Sequence, residues 1–255
     1  MNRVSFCIFA VICMMMLPSC GSETDLAKKL WSELDLTAAP NTLTAKEKEA
    51  GWELLFDGAT FSGWHGYNTP GQIPSDWAIE DGTMTVNGTG GGEEHDVITN
   101  SVFRDFAFTV EYKLTVGANS GIIYHIKEDT LYTFPYETGP EFQLADMSNR
   151  PPERRAPSMQ THGANYGMYQ PTSEPFNPAG EWNRLMLIIK EHETIHVVNG
   201  VEIVRFVKYS DEWNALRNSG KWNDFPDYGK FDEGHISLQN HGHKLWFRNV
   251  KIKRL

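Results

Sequence analysis

The residues with the clearest chemical potential lie in one short run of alternating polar and apolar side chains, Glu141 to Asp146. Side chains alternate faces along a β-strand, so Glu141 and Gln143 would share one face while Phe142 and Leu144 enter a core. An acid and an amide would then lie about 6–7 Å apart on the floor of a cleft. Glu141 is therefore a candidate general acid or base; the alternative is a strand carboxylate that is merely exposed or held in a salt bridge.

The segment before this run supplies further polar groups. The pattern from Ser120 to Ile126 predicts a strand whose Tyr124 and His125 would face the same cleft. His125 is thus a second candidate for the base. Arg184, at the start of a later strand, could place a cation in the cleft, although a salt bridge on the sheet face explains it equally well.

Histidines are the second chemical resource of the chain. Several lie in predicted strands or loops around the cleft, among them His162, His235, His241 and His243. A His-x-His turn with a distant His and Glu can hold a divalent metal, but separate hydrogen-bonded histidines are more common. If a metal is bound, His125 and Glu141 are the preferred ligands; no other cofactor is indicated.

The same run argues against ordinary retaining hydrolysis, which uses two carboxylates about 5–5.5 Å apart. The same-face neighbour of Glu141 is an amide, which neither attacks nor protonates. Asp146, five residues after Glu141, would point to the opposite face of the strand. A carboxylate from another strand stays open as a partner.

The elements that must position these residues are strands. About a dozen short runs of period two follow Trp52, and Asp81-Gly82 and Asn199-Gly200 are hairpin signals between them. This pattern predicts an all-β sandwich or jelly roll. Residues 51–255 show no internal repeat or second domain boundary. Two long interruptions, 148–178 and 209–232, are expected to form cleft walls, with Trp222 as a platform for substrate.

Composition narrows the class of ligand. The formal net charge of −10 argues against nucleic acid as a partner, because phosphates require a basic face. Eight Trp and 12% aromatic residues suit a protein that stacks sugars on rings.

The N-terminus predicts export. Residues 1–19 combine Arg3, a short apolar run and a Ser-Cys-Gly junction, which resembles a lipoprotein signal peptide with Cys20 as the lipidated residue. We expect a lipid anchor on the periplasmic or cell-surface face as the sole membrane contact. Residues 20–50 are expected to form a tether with a short helical segment, capped by Thr42 or Thr44. Once the leader is removed, the chain would hold no other cysteine.

A series of short motifs resembles one family. They run in order from Trp52-Glu-Leu-Leu-Phe-Asp-Gly58 through Asn119-Ser-Gly-Ile122, Gly139-Pro-Glu-Phe-Gln143 and Gly180-Glu-Trp-Asn183 to Gly234-His-Ile-Ser-Leu-Gln-Asn-His-Gly242. The chain from about Gly51 onward thereby resembles the family called domain of unknown function 1080, or 3-keto-disaccharide hydrolase. The resemblance implies a concanavalin A-like β-sandwich and cleavage of glycosides whose C3 hydroxyl has already been oxidised to a ketone.

The implied chemistry suits these residues. A C3 ketone acidifies the C2 proton, so one base can remove it and expel the C1 substituent, with water adding afterwards. The base would be His125 or Glu141, and the enolate would be stabilised by Gln143, Arg184 or a metal. His162 or His241 would assist the leaving group. Substrate contacts are expected from Asn119, Gln143, Arg184, Tyr124 and Trp222.

Three alternatives remain from sequence alone. A non-catalytic carbohydrate-binding lipoprotein would use the same polar and aromatic surface. A conventional glycoside hydrolase would act on unoxidised glycosides. A structural lipoprotein without a ligand would leave the strand pair unexplained. No dinucleotide fingerprint is present, so the chain would not oxidise its own substrate.

Overall fold

The structure is a computed structural model that describes residues 23–88, 95–151, 153, 155 and 157–255, with side chains described from residue 26. The predicted signal peptide, 1–19, and the predicted lipidation site, Cys20, lie outside these residues. None of the helices in the described part of the chain is long and apolar enough to cross a membrane.

In the part of the chain that the structure describes, thirteen strands form two antiparallel sheets. The eight-stranded sheet has the order β11-β10-β9-β6-β13-β4-β3, with β1 also paired to β13, and the five-stranded sheet has the order β2-β5-β12-β7-β8. The strands are β1 Glu53–Leu54, β2 Trp64–Gly66, β3 Trp77–Glu80, β4 Thr83–Val86, β5 Val97–Thr99, β6 Phe106–Leu114, β7 Asn119–Ile126, β8 Glu141–Ala145, β9 Trp182–Lys190, β10 Glu193–Val198, β11 Val201–Val207, β12 His235–Leu238 and β13 Leu245–Arg254.

The alternation of side chains places the core between the two sheets. In β6, Phe106, Phe108, Val110 and Tyr112 are fully buried and point to one side. They meet the inward residues of β7 and β8, which include Phe142. The prediction of an all-β, concanavalin A-like jelly-roll sandwich is therefore confirmed.

The N-terminal segment is not a free tether, which corrects the expectation for residues 20–50. Helix α1, Glu23–Glu33, buries Leu30 against Met186 and Ile188 on the outer face of the eight-stranded sheet, and Leu34, directly after the helix, is buried in the same cluster. The apolar spacing of α1 gives it one face to bury. These contacts make the described part of the segment an integral layer of the fold.

Helix α2, Ala45–Glu49, is fixed to the sheet by a buried ion pair. Thr44 caps the helix and forms a capping box with Glu47, as the sequence predicts. The Glu47 carboxylate also accepts a hydrogen bond from Lys251 Nζ at 2.7 Å, and both side chains are fully buried.

The outer face of the five-stranded sheet, here called the open face, carries Gly121, Glu141, Gln143 and Ser237. Short helices from the β7–β8 connection and from residues 209–232 border it. They are a 3₁₀ helix at Pro135–Glu137, helix α3 at Asp211–Arg217 and a 3₁₀ helix at Gly220–Asp224. The sequence predicted 209–232 as a loop wall, and the structure shows that much of it is helical.

Candidate active site

Glu141 lies directly over Gly121 on the neighbouring strand. Register places Gln143 opposite Gly121 and Glu141 opposite Ile123, so the Glu141 side chain reaches back across the glycine. A Cβ atom on Gly121 would lie 2.8 Å from Cγ and 2.9 Å from Cδ of Glu141. The missing side chain at position 121 is therefore the space that the Glu141 carboxyl occupies.

Gln143 contacts this carboxyl as the strand pattern predicts. When its amide is oriented with Nε2 toward Glu141, Nε2 donates to Glu141 Oε1 at 2.8 Å and to the Ser120 carbonyl oxygen at 3.0 Å. The far end of the amide lies 3.1 Å from Asn119 Oδ1. Glu141, Gln143 and Asn119 thus form one polar row, and an ionised Glu141 finds a donor in it.

The acidity of Glu141 is strongly shifted. Burial raises the pKa of its carboxyl to about 8, the positive charge of Lys221 lowers it, and the negative charge of Asp96 raises it. The side chain is only 5% exposed, so water does little to stabilise its charged form. A carboxyl with a pKa near neutrality can take up or release a proton under ordinary conditions.

Lys221 is a site residue that the sequence analysis missed. Its Nζ lies over the rings of Tyr136, Tyr166 and Trp222, at 4.4, 4.9 and 4.6 Å from their centroids. Burial lowers the pKa of its ammonium group, and the negative charge of Glu141 opposes that shift. Nothing in the local sequence distinguishes it from an ordinary surface lysine, because the fold brings the rings to it.

Asp96 is the second residue that sequence analysis missed. It precedes β5 on the open face and is 7% exposed. Its Oδ2 accepts a hydrogen bond from Ser237 Oγ at 2.8 Å, and its Oδ1 accepts one from the Asn240 backbone N–H at 2.9 Å. The site therefore holds a second carboxyl group, contributed by a strand far from Glu141 in sequence.

A cavity of about 520 Å³ is lined by Asp96 and by Tyr136, one of the rings that Lys221 contacts. One side is aromatic and the other is polar, which suits a sugar ring with apolar faces and hydroxyl edges. Gln239 Oε1 is buried without a hydrogen-bond partner among the described residues and is available to a ligand hydroxyl. Lining residues include Tyr67, Tyr132, Phe134, Tyr136, Asp96, Gln239, Asn240 and His241.

His241 is an exposed residue at the rim of this cavity. It is the one predicted catalytic histidine that the structure places beside the site. Its role, like those of Glu141, Gln143 and Asn119, stays a prediction.

The expectation that His125 faces the cleft is wrong. His125 has φ of 53°, and the pairing of β7 with β12 shifts register between His235 and Ser237. This irregularity reverses the alternation, so the ring packs edge-on against Phe106. Its Nε2 is hydrogen-bonded to the Arg104 carbonyl oxygen at 2.8 Å. Burial lowers the pKa of His125 to about 4.

His162 is also misplaced by the sequence analysis. It is buried, with Nε2 2.7 Å from the Tyr112 hydroxyl and Nδ1 2.9 Å from the Ala145 carbonyl oxygen. Both ring nitrogens are therefore engaged within the protein, and burial lowers the pKa of the ring to about 4. A buried ring of this kind is not placed to assist a leaving group on the open face.

The predicted substrate contacts of Tyr124 and Trp222 are wrong because both side chains belong to the core. Tyr124 is 2% exposed and points inward from β7. Trp222 is fully buried, stacks on Tyr228 at 3.8 Å, and donates from Nε1 to the Tyr166 carbonyl oxygen at 3.0 Å. Trp222 supports the site from beneath, through the face it offers Lys221.

Arg184 lies on the other sheet, as the salt-bridge alternative anticipated. It is paired with Glu111 on the outer face of the eight-stranded sheet, and Glu111 also accepts a hydrogen bond from Arg248. It cannot reach an enolate formed beside Glu141.

The predicted pair of metal ligands does not form. His125 packs on the interior side and Glu141 lies on the open face, so the two do not share a ligand. Within the described ranges, no group of three or more His, Cys, Asp or Glu side chains is arranged to hold a metal ion.

The open face of a β-sandwich, with a buried carboxyl group beside a polar and aromatic cavity, defines a carbohydrate-active protein. The family profile of the 3-keto-alpha-glucoside-1,2-lyase-like domain matches residues 51–253. The chain belongs to this family and is a glycoside-acting enzyme.

Known relatives agree with this assignment. A 3-keto-disaccharide hydrolase from Bacteroides thetaiotaomicron is 31% identical over 230 residues, covering 80% of this chain and 79% of that protein. The crystal structure of a proposed glycosyl hydrolase from Parabacteroides distasonis is 38% identical, with a TM-score of 0.77, covering 85% of this chain and 100% of that one. A second structure from that organism, at 24% identity and a TM-score of 0.59, shares the fold.

Proposed function

We propose that this protein cleaves the glycosidic bond of 3-keto-glycosides by removing the C2 proton and eliminating the C1 substituent. The similarity to a 3-keto-disaccharide hydrolase supports the substrate class. The observation that carries the mechanism is Glu141, a buried carboxyl group whose pKa is raised to about 8.

In the first step the ionised Glu141 takes the C2 proton. The C–H electron pair forms a C2–C3 double bond, and the ketone oxygen becomes an enolate. The enolate then re-forms the ketone, a C1–C2 double bond appears, and the C1–O bond breaks with its electron pair on the departing oxygen. That oxygen takes a proton from the carboxylic acid of Glu141 or from His241. The product is a 2-hydroxy-3-keto-glycal, and water added at C1 completes a net hydrolysis.

A raised pKa favours this role over simple sugar binding. A stronger conjugate base removes a carbon-bound proton more readily, and a base with a pKa near the working pH is still substantially ionised. Gln143 holds the carboxylate in place by donating to Oε1. A binding protein needs neither the buried carboxyl group nor its perturbed acidity.

Conventional hydrolysis is the second candidate, and Asp96 is the observation that favours it. Asp96 directly precedes β5, and Glu141 lies on β8. In the sheet order β2-β5-β12-β7-β8, these two strands are three positions apart. Three strand spacings separate their backbones by roughly 14 Å. Such a separation is too wide for a retaining pair unless both side chains extend toward each other. In an inverting glycosidase the two carboxyl groups lie farther apart, about 6.5–9.5 Å, so an inverting mechanism is the kind of conventional hydrolysis to test.

The deciding experiment compares a 3-keto-glucoside with its unoxidised parent, using the purified protein and Glu141→Gln. We expect aglycone release from the ketone substrate alone, reduced at least 1,000-fold in the variant because the base is lost. Glu80→Gln, at a half-exposed carboxylate on the other sheet, is the matched control and should retain full activity. Release from the parent glycoside would instead establish conventional hydrolysis, and sugar binding without turnover would establish a lectin-like protein.

We also propose, from the leader sequence, that the protein is exported and lipid-anchored at Cys20. Cys20→Ala should release the protein from the membrane fraction of expressing cells without changing its activity. Continued membrane association of that variant would contradict the proposal.

A further inference from the structure

The ammonium group of Lys221 is held by aromatic rings and not by a carboxylate. Tyr136, Tyr166 and Trp222 present their faces to it within 4.9 Å. Among the described residues, no Asp or Glu oxygen lies within salt-bridge distance of Lys221. Cation–π contacts hold the group in place, and the ammonium donors are not taken up by an ion pair with a described carboxylate.

The rest of the local structure fixes this arrangement. Trp222 is the fully buried centre of the 3₁₀ helix at Gly220–Asp224, stacked on Tyr228 and hydrogen-bonded to the Tyr166 backbone. Gly167, next to Tyr166, has no room for a side chain, because a Cβ there would lie 2.7 Å from Trp222 Nε1. Trp222 is therefore part of the core, and Tyr136 and Tyr166 pack against that core around the lysine.

We propose that Lys221 is a catalytic residue, donating a hydrogen bond to the C3 ketone oxygen of the substrate and stabilising the enolate that forms when Glu141 removes the C2 proton. This inference rests on the proposed function. The ammonium group keeps its own proton throughout, so the only proton transferred in the step moves from C2 to Glu141.

The chemistry of the intermediate requires such a group. Proton removal turns a neutral ketone into an anion, and a cation already placed beside that oxygen stabilises the anion more than the ketone. Arg184, the cation that sequence analysis suggested, is paired on the other sheet. Lys221 is the described cation whose charge acts on Glu141.

The positive charge of Lys221 also affects the acidity of Glu141. Lys221 favours the ionised form of Glu141, whereas Asp96 opposes it. The other titratable groups that interact with Glu141 are Tyr136, Tyr166 and Tyr228, and burial raises the pKa of each tyrosine hydroxyl, which stays neutral. Among the described residues, Lys221 and Asp96 are therefore the fixed charges that modify, in opposite directions, the acidity that burial gives the base.

The test is Lys221→Met, which keeps an unbranched side chain among the three rings and removes the charge. We expect kcat for the 3-keto-glucoside to fall by about 100- to 1,000-fold, as for loss of one oxyanion donor. Lys221→Arg should recover little activity, because a planar guanidinium places its donors differently. Lys230→Met, at an exposed lysine that pairs with Asp227, is the matched control and should be unaffected.

Two further measurements distinguish a loss of catalysis from a loss of folding, and test the effect of Lys221 on Glu141 without any substrate. The carboxyl carbon of Glu141, followed by NMR, should titrate at higher pH in Lys221→Met and at lower pH in Asp96→Asn, whatever the substrate. Circular dichroism should show both variants folded. Unchanged kcat and an unmoved Glu141 titration in Lys221→Met would overturn the role of Lys221. Failure of the wild-type protein to cleave any 3-keto-glycoside, with the titration shifts intact, would overturn the proposed function and leave Lys221 as the charge that sets Glu141.

Discussion

Glu141 lies so close over Gly121 that a Cβ atom at position 121 would come within 2.8 Å of Glu141 Cγ. The glycine is not in a left-handed conformation, so its value is the space it leaves and not its backbone freedom. The carboxyl group fills that space from the next strand. The position of the proposed base is therefore set by an absent side chain.

Gly121→Ala should separate activity from stability. The three atoms nearest to the new methyl group all belong to the Glu141 side chain, so we expect the fold to adjust at small cost while the carboxyl group moves from its place. We expect kcat to fall at least tenfold and the melting temperature to stay within a few degrees of wild type. If Gly121 acts solely through Glu141, the variant Gly121→Ala/Glu141→Gln will be no less active than Glu141→Gln. Additive losses would contradict this.

The pH–rate profile should report the acidity of Glu141. As a base it must be ionised, so kcat/KM should rise by up to tenfold per pH unit and level off above a pH of about 8. A profile that is flat from pH 6 to 9 would exclude a base with this pKa.

The same group should link stability to pH. The folded protein keeps Glu141 protonated up to a pH of about 8, whereas the unfolded chain ionises it above about 4.5. Between these values the unfolded state binds fewer protons, so stability falls as pH rises. Glu141→Gln removes this cost. The difference in free energy of unfolding between the variant and wild type should therefore increase by roughly 2–4 kcal/mol in favour of the variant as pH rises from 5 to 8, at about 1.4 kcal/mol per pKa unit. Denaturant unfolding at each pH measures it, and a constant difference would contradict it.

Three buried histidines should make the fold sensitive to acid. Burial lowers the pKa of His125, His162 and His196 to about 4. Below pH 6.5 the unfolded chain protonates them and the folded protein does not, so stability is lost as pH falls from 6.5 toward 4. At pH 5, His196→Phe should take up about one proton fewer on unfolding than wild type does. The exposed His192, changed to Gln, is the control and should leave this number nearly unchanged.

The buried pair of Glu47 and Lys251 should contribute far more than surface pairs. Glu47→Gln leaves an ammonium group buried without its counter-charge and should cost about 3–5 kcal/mol in denaturant unfolding. Asp227→Asn, which breaks the more exposed pair with Lys230, should cost under about 1 kcal/mol. The double variant Glu47→Gln/Lys251→Met should recover part of the first loss. Equal effects of the two single changes would contradict this ranking.

The sequence predicted those features that depend on local alternation. The period of two placed Glu141 and Gln143 on one face, and the hairpin signals at Asp81-Gly82 and Asn199-Gly200 lie where β3 meets β4 and β10 meets β11. It failed where alternation breaks, since a single irregularity at His125 turned that ring inward.

Groups that meet only after folding could not be found from sequence. Asp96 and Lys221 lie far from Glu141 in the chain, and each looks ordinary among its sequence neighbours. Aromatic content led to a wrong prediction, because the sequence does not distinguish a Trp that packs in the core beneath a site from a Trp that stacks on a ligand. Trp222 is of the first kind.

The N-terminal helices have a practical consequence for the isolated domain. The family match begins at residue 51, but Leu30 of helix α1 and Leu34 directly after it cover Met186 and Ile188 on the eight-stranded sheet. A fragment that began at Gly51 would expose this apolar surface to water and to other copies of itself. The family match therefore begins at residue 51, whereas a soluble fragment should begin no later than helix α1.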